Sequence, residues 1–386
     1  MQRRTRCALF AAPLMLLLTA CSAADAEPQT DGLEITHLST IQVPDGLSPF
    51  GVPLGGLSGI DYDPATGSYL AVSDDRAEKG PARAYTLNLD LDSTGAFTLS
   101  APEFTAMTLL TDVDGQPYPV KGVDPESIRH VPGSTSPGSA DIVYTSEGDA
   151  SKFIAPFVRA ADSEGNMLRD FALPDYYLPV AGPGGEQSAG IRNNQAFEGL
   201  TFSADGSTVL ALTESSLLQD GAVATPASGT DSRVLVFDAD SGEVVDEFVY
   251  AVDPISGIYP DVLSPTGFMI KADRGATEIL AIDDDEYLVI ERGSVPGEGF
   301  EAQVYWTTTA GATSVNGQAA LDGVQTPMPK KLLFDFADTG ANPDNVEGIT
   351  WGPTLADGTR TLVLVADDNF NPEGGAHTMF HILAVR

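Results

Sequence analysis

One hairpin-shaped stretch recurs along the chain. Ala196 to Ser215, AFEGLTFSADGSTVLALTES, opens on Glu198-Gly199-Leu200, turns at Ala204-Asp205-Gly206 and runs out through a second apolar segment to Glu214. Two such segments about a Gly-containing turn read as paired β-strands. Four other stretches follow the same plan. Gly56 to Asp75 has Ser58 in the place of Glu198 and Asp74 in that of Glu214. Pro125 to Asp149 begins Glu126-Ser127-Ile128 and closes at Glu147. Glu278 to Gly293 opens on Glu278 and closes on Glu291, and Val346 to Asp368 begins Glu347-Gly348-Ile349 and ends on Asp367-Asp368. Further strand-like segments follow each copy, as in Ala82 to Leu91 and Ala96 to Leu110 after the first. Four strands per copy, repeated, is the pattern of a β-propeller blade, a sheet that buries its faces only by stacking on its neighbours.

The fifth copy has a single further strand, Thr378 to Arg386, and the unpaired alternating segment Leu33 to Pro44 supplies the one it lacks. Closing the ring in this way removes the open edge between first and last blades. The expectation is therefore an all-β, five-blade propeller, its ring closed by the N-terminal strand pairing with the C-terminal blade. Six blades are the alternative, if Tyr176 to Asn194 or Val252 to Ala276 holds another copy. Both are rich in Gly and Pro with little alternation, and read as long loops.

Arg3, Arg4 and Arg6 precede an apolar run from Ala8 to Leu18, followed by Thr19-Ala20-Cys21. That is a secretory signal whose apolar part is too short to span a bilayer. Its L-T-A-C ending resembles a bacterial lipoprotein signal, in which Cys21 is lipidated; an ordinary cleaved signal is the alternative. The expected division is 1–20 signal, 21–32 flexible tether and 33–386 one domain. The protein is expected to be exported and held to the bacterial cell envelope by lipid alone, on the outer face of the cell membrane or on an outer membrane. Cys7 and Cys21 are its two cysteines. The mature domain then has no thiol nucleophile and no disulfide, so its stability rests on the core and on bound metal.

A net charge of −35 repels nucleic acid and anionic lipid and favours cations. The expected partner is a small anionic substrate met by a monomer, with no nucleic acid. In a propeller the innermost strands line the axis, so acids at one position of the repeat converge there. Glu126, Glu198, Glu278 and Glu347 would form a partial ring, and Asp74, Glu147, Glu214, Glu291 and Asp367 a second set beside it. Repulsion among them raises their pKa values unless cations neutralise them, and Ca2+ takes oxygen ligands in irregular geometry. Calcium is accordingly expected at the mouth, on Asp74, Glu147, Glu214, Glu291, Glu347 and Asp367. Four bases near the same strand ends, Arg76, Lys152, Arg192 and Arg292, would hold phosphate or carboxylate groups of a substrate. Plain salt bridging to the acids is the other use for them.

The segments GLSGIDYDP and YLAVSDDR, DPESI, QAFEGL with LTES, EYLVIERG, and NVEGITW with ADDN resemble the phytase-like domain family, described as "esterase-like activity of phytase", over roughly Leu57 to Val385. The resemblance implies a propeller and points to hydrolysis of phosphate esters, phytate-like ones included. Glu126 or Glu198 would then accept a proton from a cation-held water. A non-enzymatic surface module that binds protein or polysaccharide is one rival, and a lactonase- or esterase-type hydrolase another. Gly56-Leu57-Ser58-Gly59 lacks the spacing of a nucleophile elbow. His37, His377 and His381 are read as outer-blade packing rather than a zinc site. Asp283 to Glu286 and Asp112 to Gly115 are read as turns, since neither completes a calcium loop.

Overall fold

A computed structural model describes residues 32–134, 139–259, 262–263, 269–297 and 299–386. The signal, Cys21 and the tether as far as residue 31 lie outside the described residues. Five four-stranded antiparallel sheets follow one another. Blade 1 comprises Leu57–Asp63, Ser68–Ser73, Arg83–Asn88 and Glu103–Leu109; blade 2 comprises Pro125–His130, Ile142–Ser146, Phe157–Ala161 and Met167–Asp170. Blade 3 is built from Phe197–Phe202, Thr208–Thr213, Thr230–Asp238 and Val244–Val252; blade 4 from Gly275–Ala281, Glu286–Val295, Gly299–Thr308 and Lys330–Asp335. Blade 5 takes Asn345–Trp351, Arg360–Asp367 and Met379–Val385 from the end of the chain and Ile35–Gln42 from its beginning. The segments suspected of a sixth blade hold two-residue and three-residue strands, Val180–Ala181 with Gln187–Ala189 and Val262–Leu263 with Met269–Ile270. Neither adds a blade, and the ring has five. Helical structure among the described residues is limited to short 3-10 turns.

Each second strand is apolar on both faces because each face meets a different neighbour. In Val209-Leu210-Ala211-Leu212, Val209 and Ala211 pack toward blade 2, with Val143 and Ala160, while Leu210 and Leu212 pack toward blade 4, with Ile279 and Val289. The core is accordingly five clusters, one per blade junction. This is why the second strands read as continuous apolar runs rather than as alternation.

The innermost strands approach so closely that side chains are excluded at one position of three blades. A Cβ on Gly348 would lie 2.4 Å from the Ser58 carbonyl oxygen, one on Gly59 2.6 Å from Ser127 Cα, and one on Gly199 2.9 Å from the Ile279 nitrogen. Arg129 ties together the strands so brought near. From blade 2 its guanidinium donates to the carbonyls of Leu200 at 2.6 Å, Ile349 at 3.0 Å and Ile279 at 3.2 Å, and to that of Ile60. Those carbonyls belong to the innermost strands of the four other blades. Glu278 lies 3.0 Å from the same guanidinium and accepts from the Ser127 hydroxyl at 2.7 Å. The axis is plugged at this level, and the mouth beyond it is a blind cup.

Candidate functional site

Every innermost strand enters its sheet through a register slip: between Leu57 and Ile60, Pro125 and Ile128, Phe197 and Gly199, Ala276 and Glu278, and Val346 and Gly348. A bulge takes a residue out of the pairing alternation and re-aims its side chain. The residues so released are Ser58, Glu126, Glu198, Thr277 and Glu347, and the three glutamates face the cup. The second set stands where the second strands leave the pairing. The amides of Asp74, Glu147 and Glu214 donate to the carbonyls of Gly56, Asp124 and Ala196, and Asp367 sits opposite Asn345. In blade 4 the residue at this place, opposite Gly275, is Arg292.

Glu278 and Glu291 therefore stand one place out of register with the repeat, and the structure corrects their expected position at the mouth. Matching Glu278 to Glu198 by residue type put Ile279 out of step with Leu200; the bulge and the apolar residue after it set the true register. Glu278 takes the slot held by glycine in blades 1, 3 and 5 and serves the axial plug. Glu291 is turned into the junction of blades 3 and 4, where it pairs with Arg274 at 2.8 Å and with Lys330, and accepts from Tyr250 at 2.9 Å.

Three carboxylate groups converge in the cup: Asp124, Glu126 and Glu147; Glu147, Glu198 and Glu214; and Asp74, Glu347 and Asp367, with oxygens inside each group within 4.8 Å of one another. Of these, Asp74, Asp124, Glu126, Glu198 and Glu347 line a hollow of about 340 Å³ with Arg76, Asn194, Arg292 and Phe370. Two larger hollows, of about 580 and 410 Å³, lie beside His37 and Phe334 and beside Arg169 and Phe202, away from these acids. Burial pushes each acid up, and repulsion by neighbours adds to it at all but Glu347, where Arg292 and Asn345 oppose the rise. Asp74, Glu126, Glu147, Glu198 and Asp367 rise well above the carboxylate range, and Asp124 and Glu214 to about 7 although Arg76 and Arg292 respectively oppose the rise. Glu147 Oε2, Glu198 Oε2 and Glu347 Oε2 are buried with no hydrogen-bond partner. An unsatisfied buried carboxylate oxygen is costly, and a hard cation is the partner that an all-oxygen site fits.

The four bases fare differently. Arg292 is 8% exposed and lies between blades, 3.2 Å from Glu347 and 3.6 Å from Glu214, with its Nε unpartnered. Burial works against its charge, but those carboxylates outweigh it. Arg76 lines the rim, 3.2 Å from Asp124 and 3.6 Å from Asp149. Lys152 is half-exposed and pairs with Asp149 at 2.5 Å, and Arg192 donates to the Ser216 carbonyl at 2.9 Å and to that of Gly221. Neither of these two reaches the hollow. The histidines share no ligand point: Thr40 Oγ1 is 2.8 Å from both His37 Nε2 and His381 Nδ1, while His377 turns to Asp45 at 3.1 Å.

Asp124, Asn345 and Phe370 were missed from the sequence. Asp124 and Asn345 stand two residues before the bulged glutamates, in Asp-Pro-Glu and Asn-Val-Glu, and that shared polar place was the available signal. Phe370 follows the last acid in a loop with a left-handed turn, Asn369 φ 48° and Phe370 φ 49°, at which only the asparagine hints.

Comparison with known proteins bears on fold and family. The endo-arabinase of Bacteroides thetaiotaomicron is 10% identical, with 88% of this chain and 96% of that one covered at a TM-score of 0.44. The periplasmic gluconolactonase of Pseudomonas aeruginosa is 13% identical, with 84% and 85% covered at 0.32. An uncharacterized secreted protein of Arthroderma benhamiae is 27% identical over 237 residues, which are 54% of this chain and 42% of that protein. The chain thus spans less than half the length of that relative. A family profile, "Phytase-like: Esterase-like activity of phytase", matches residues 52–370, from the approach to the first blade to the loop that carries Phe370. With most of the ring inside that match, the chain belongs to the phytase-like family.

Proposed function

We propose that the protein is an exported, cation-dependent hydrolase of phosphate esters working in the axial cup. The observation that carries this reading is the convergence of eight carboxylates from blades 1, 2, 3 and 5 and the Arg292 guanidinium from blade 4, with Glu147 Oε2 and Glu198 Oε2 buried and unpartnered. Asp124, Glu126, Glu147, Glu198 and Glu214 are the residues that would hold a divalent ion, and Ca2+ suits their number and hardness. When bound, such an ion supplies charge for phosphoryl oxygens and lowers the pKa of a water. Glu126 and Glu198, which face the hollow, are the carboxylates placed to take that water's proton. Arg292 and Arg76 offer the cup's fixed positive charge to an anionic group. The plug of Arg129 and Glu278 closes the cup from behind, so substrate enters and product leaves on one side.

Export rests on the charged and apolar N-terminal signal and agrees with a relative described as secreted. Among the described residues no helix is long and apolar enough to cross a membrane. Lipidation at Cys21 would tie the propeller to the envelope through the tether. The test is a screen of the mature domain against phosphomonoesters, lactones and acyl esters, with Ca2+ and with EDTA. Calcium-dependent phosphate release supports the proposal. Lactone or acyl-ester turnover without phosphatase activity points to the esterase-type alternative, and no turnover in any class to a binding module.

A further inference from the structure

The hollow of the cup is lined by seven acids, three bases, two asparagines and a single apolar side chain, that of Phe370. The bases are Arg76, Lys79 and Arg292. A lone ring among charged groups has no apolar neighbours to join, and Phe370 belongs to none of the five core clusters. It is partly exposed, so packing in the core does not account for it.

The ring is held at the hollow against strain. Asn369 and Phe370 stand in succession at φ 48° and 49°, a left-handed conformation that a bulky side chain adopts only where its surroundings impose it. Asp368 imposes it here. Its Oδ1 accepts from the Phe370 amide at 2.9 Å and from the Gly56 amide at 2.9 Å, which pins the loop of blade 5 to the entry of blade 1. The ring then rests against the Gly55-Gly56 backbone: a Cβ on Gly55 would meet Phe370 Cδ1 at 2.7 Å, and one on Gly56 would meet Cε2 at 2.6 Å. A side chain at either glycine would push the ring off this seat. Nor is the strain scattered over the molecule. Among the described residues all eight non-glycine positions with positive φ, Phe370 included, lie in connections at the cup end, entering an innermost strand or leaving a second one. At the opposite end of the blades positive φ is left to glycine, as at Gly67 and Gly206. Strain of this kind gathers where a binding surface is held ready in advance.

We propose that Phe370 is the specificity-determining wall of the cup, and that it stacks on a flat, uncharged ring of the substrate, so that the substrate class is a phosphate monoester of an aromatic alcohol. The inference rests on the reading of the cup as a phosphate-ester site. With the phosphoryl group at Arg292 and Arg76, whatever else the substrate carries lies among the remaining lining groups. A second phosphate there would face the acids and be repelled by those that are ionised. A flat apolar ring instead meets the one apolar surface available, and aromatic pairs gain beyond the area that they bury. At about 340 Å³ the hollow is at the small end of ligand pockets, which suits one ring beside one phosphate.

The test is binding of phenylphosphonate and of methylphosphonate to the mature protein by isothermal titration with CaCl2 present, since neither ligand has an ester bond to cleave. Wild type is expected to hold the phenyl compound about ten-fold more tightly, the worth of one aromatic contact. In Phe370→Asn, whose asparagine tolerates the left-handed turn, the ratio of the two Kd values is expected to collapse to about one. Its Tm by calorimetry should not fall, because the strained phenylalanine is gone. If that variant does not fold, Phe370→Leu keeps an apolar cover over Gly55 and Gly56 and should still lose most of the ratio, and wild-type crystals soaked in phenylphosphonate should show the two rings in contact. A wild-type ratio near one, or a ratio that survives in both variants, overturns this inference and leaves the hydrolase proposal standing. The expected ratios without turnover of any phosphate ester support the wall and remove the hydrolase. Binding of neither phosphonate overturns both.

Discussion

Arg129 Nη2 lies 3.0 Å from Glu278 Oε2 on the propeller axis, both side chains buried. The pair replaces whatever solvent or ion would otherwise satisfy four converging carbonyl groups. Arg129→Met leaves those carbonyls without their donor and the Glu278 carboxylate without its counter-charge, although Ser127, Leu200 and Ile279 still donate to it. Breaking a buried pair from one side costs about 3–5 kcal/mol, and denaturant unfolding of the variant should show a loss of that size. Adding Glu278→Gln should recover part of it, because the burden of an unpaired charge goes. A variant as stable as wild type would show that the plug does not hold the five blades together.

The raised carboxyl groups set a direction for pH. Asp124 and Glu214 titrate near 7 when folded, and burial and mutual repulsion raise Asp74, Glu126, Glu147, Glu198 and Asp367 as well. The unfolded chain ionises them near 4. A group whose folded pKa lies above its unfolded one stabilises below the unfolded value and loses that contribution as pH rises through the folded value. In EDTA the melting temperature should therefore fall as pH climbs from about 4 through about 7, and Ca2+ should restore more of it the higher the pH. A Tm in EDTA that rises over this range would contradict the burial of these acids.

Glu198→Gln and Glu126→Gln separate the two candidate proton acceptors. The true one is expected to lose about 10²–10⁴-fold in kcat, as removal of a general base does, with KM little changed. The other should act mainly through affinity for the cation, and raising Ca2+ should recover it. Recovery of both by calcium would leave the reaction without a carboxylate base.

Arg292→Ala removes the cup's buried cation. For an anionic substrate KM should rise about 10- to 100-fold, the worth of a charge-assisted hydrogen bond. The chelated variant should also melt lower than wild type, since Glu347 and Glu214 lose their counter-charge. Unchanged kinetics would reduce Arg292 to a salt-bridge partner.

Gly348→Ala tests the contact between the two ends of the ring. The new methyl would lie 2.4 Å from the Ser58 carbonyl and 3.1 Å from the Ile60 nitrogen, backbone that has no room to give. Overpacking of this kind costs about 1–3 kcal/mol. Thermal unfolding within error of wild type would mean that blades 1 and 5 approach less closely than described.

Much of this was legible before any coordinates, because turn chemistry and double-sided burial write themselves into residue order. The turn at Asp205-Gly206 and the run Val209 to Leu212 announce a blade, and the acids at Glu126, Glu198, Glu347, Asp74, Glu147, Glu214 and Asp367 recur at fixed places in it. Blade 4 misled, because its glutamates, Glu278 and Glu291, each stand one residue away from the repeat's acid place. Matching like letters overrode the apolar register that sets the pairing. Arg129 was invisible for another reason. Its partners are backbone carbonyls of four blades, and a backbone group leaves no mark in residue type. Asn345 acquires its meaning only once the bulge puts Glu347 beside Asp367.

The account stands most directly on calcium binding to the acids gathered about Glu147. Isothermal titration of the chelated mature domain with CaCl2 near pH 7.5 should give saturable binding, and the Glu147→Gln/Glu198→Gln double variant, folded by circular dichroism, should lose the transition that belongs to blades 2 and 3. Identical isotherms for the two proteins, or no binding by wild type, would contradict it.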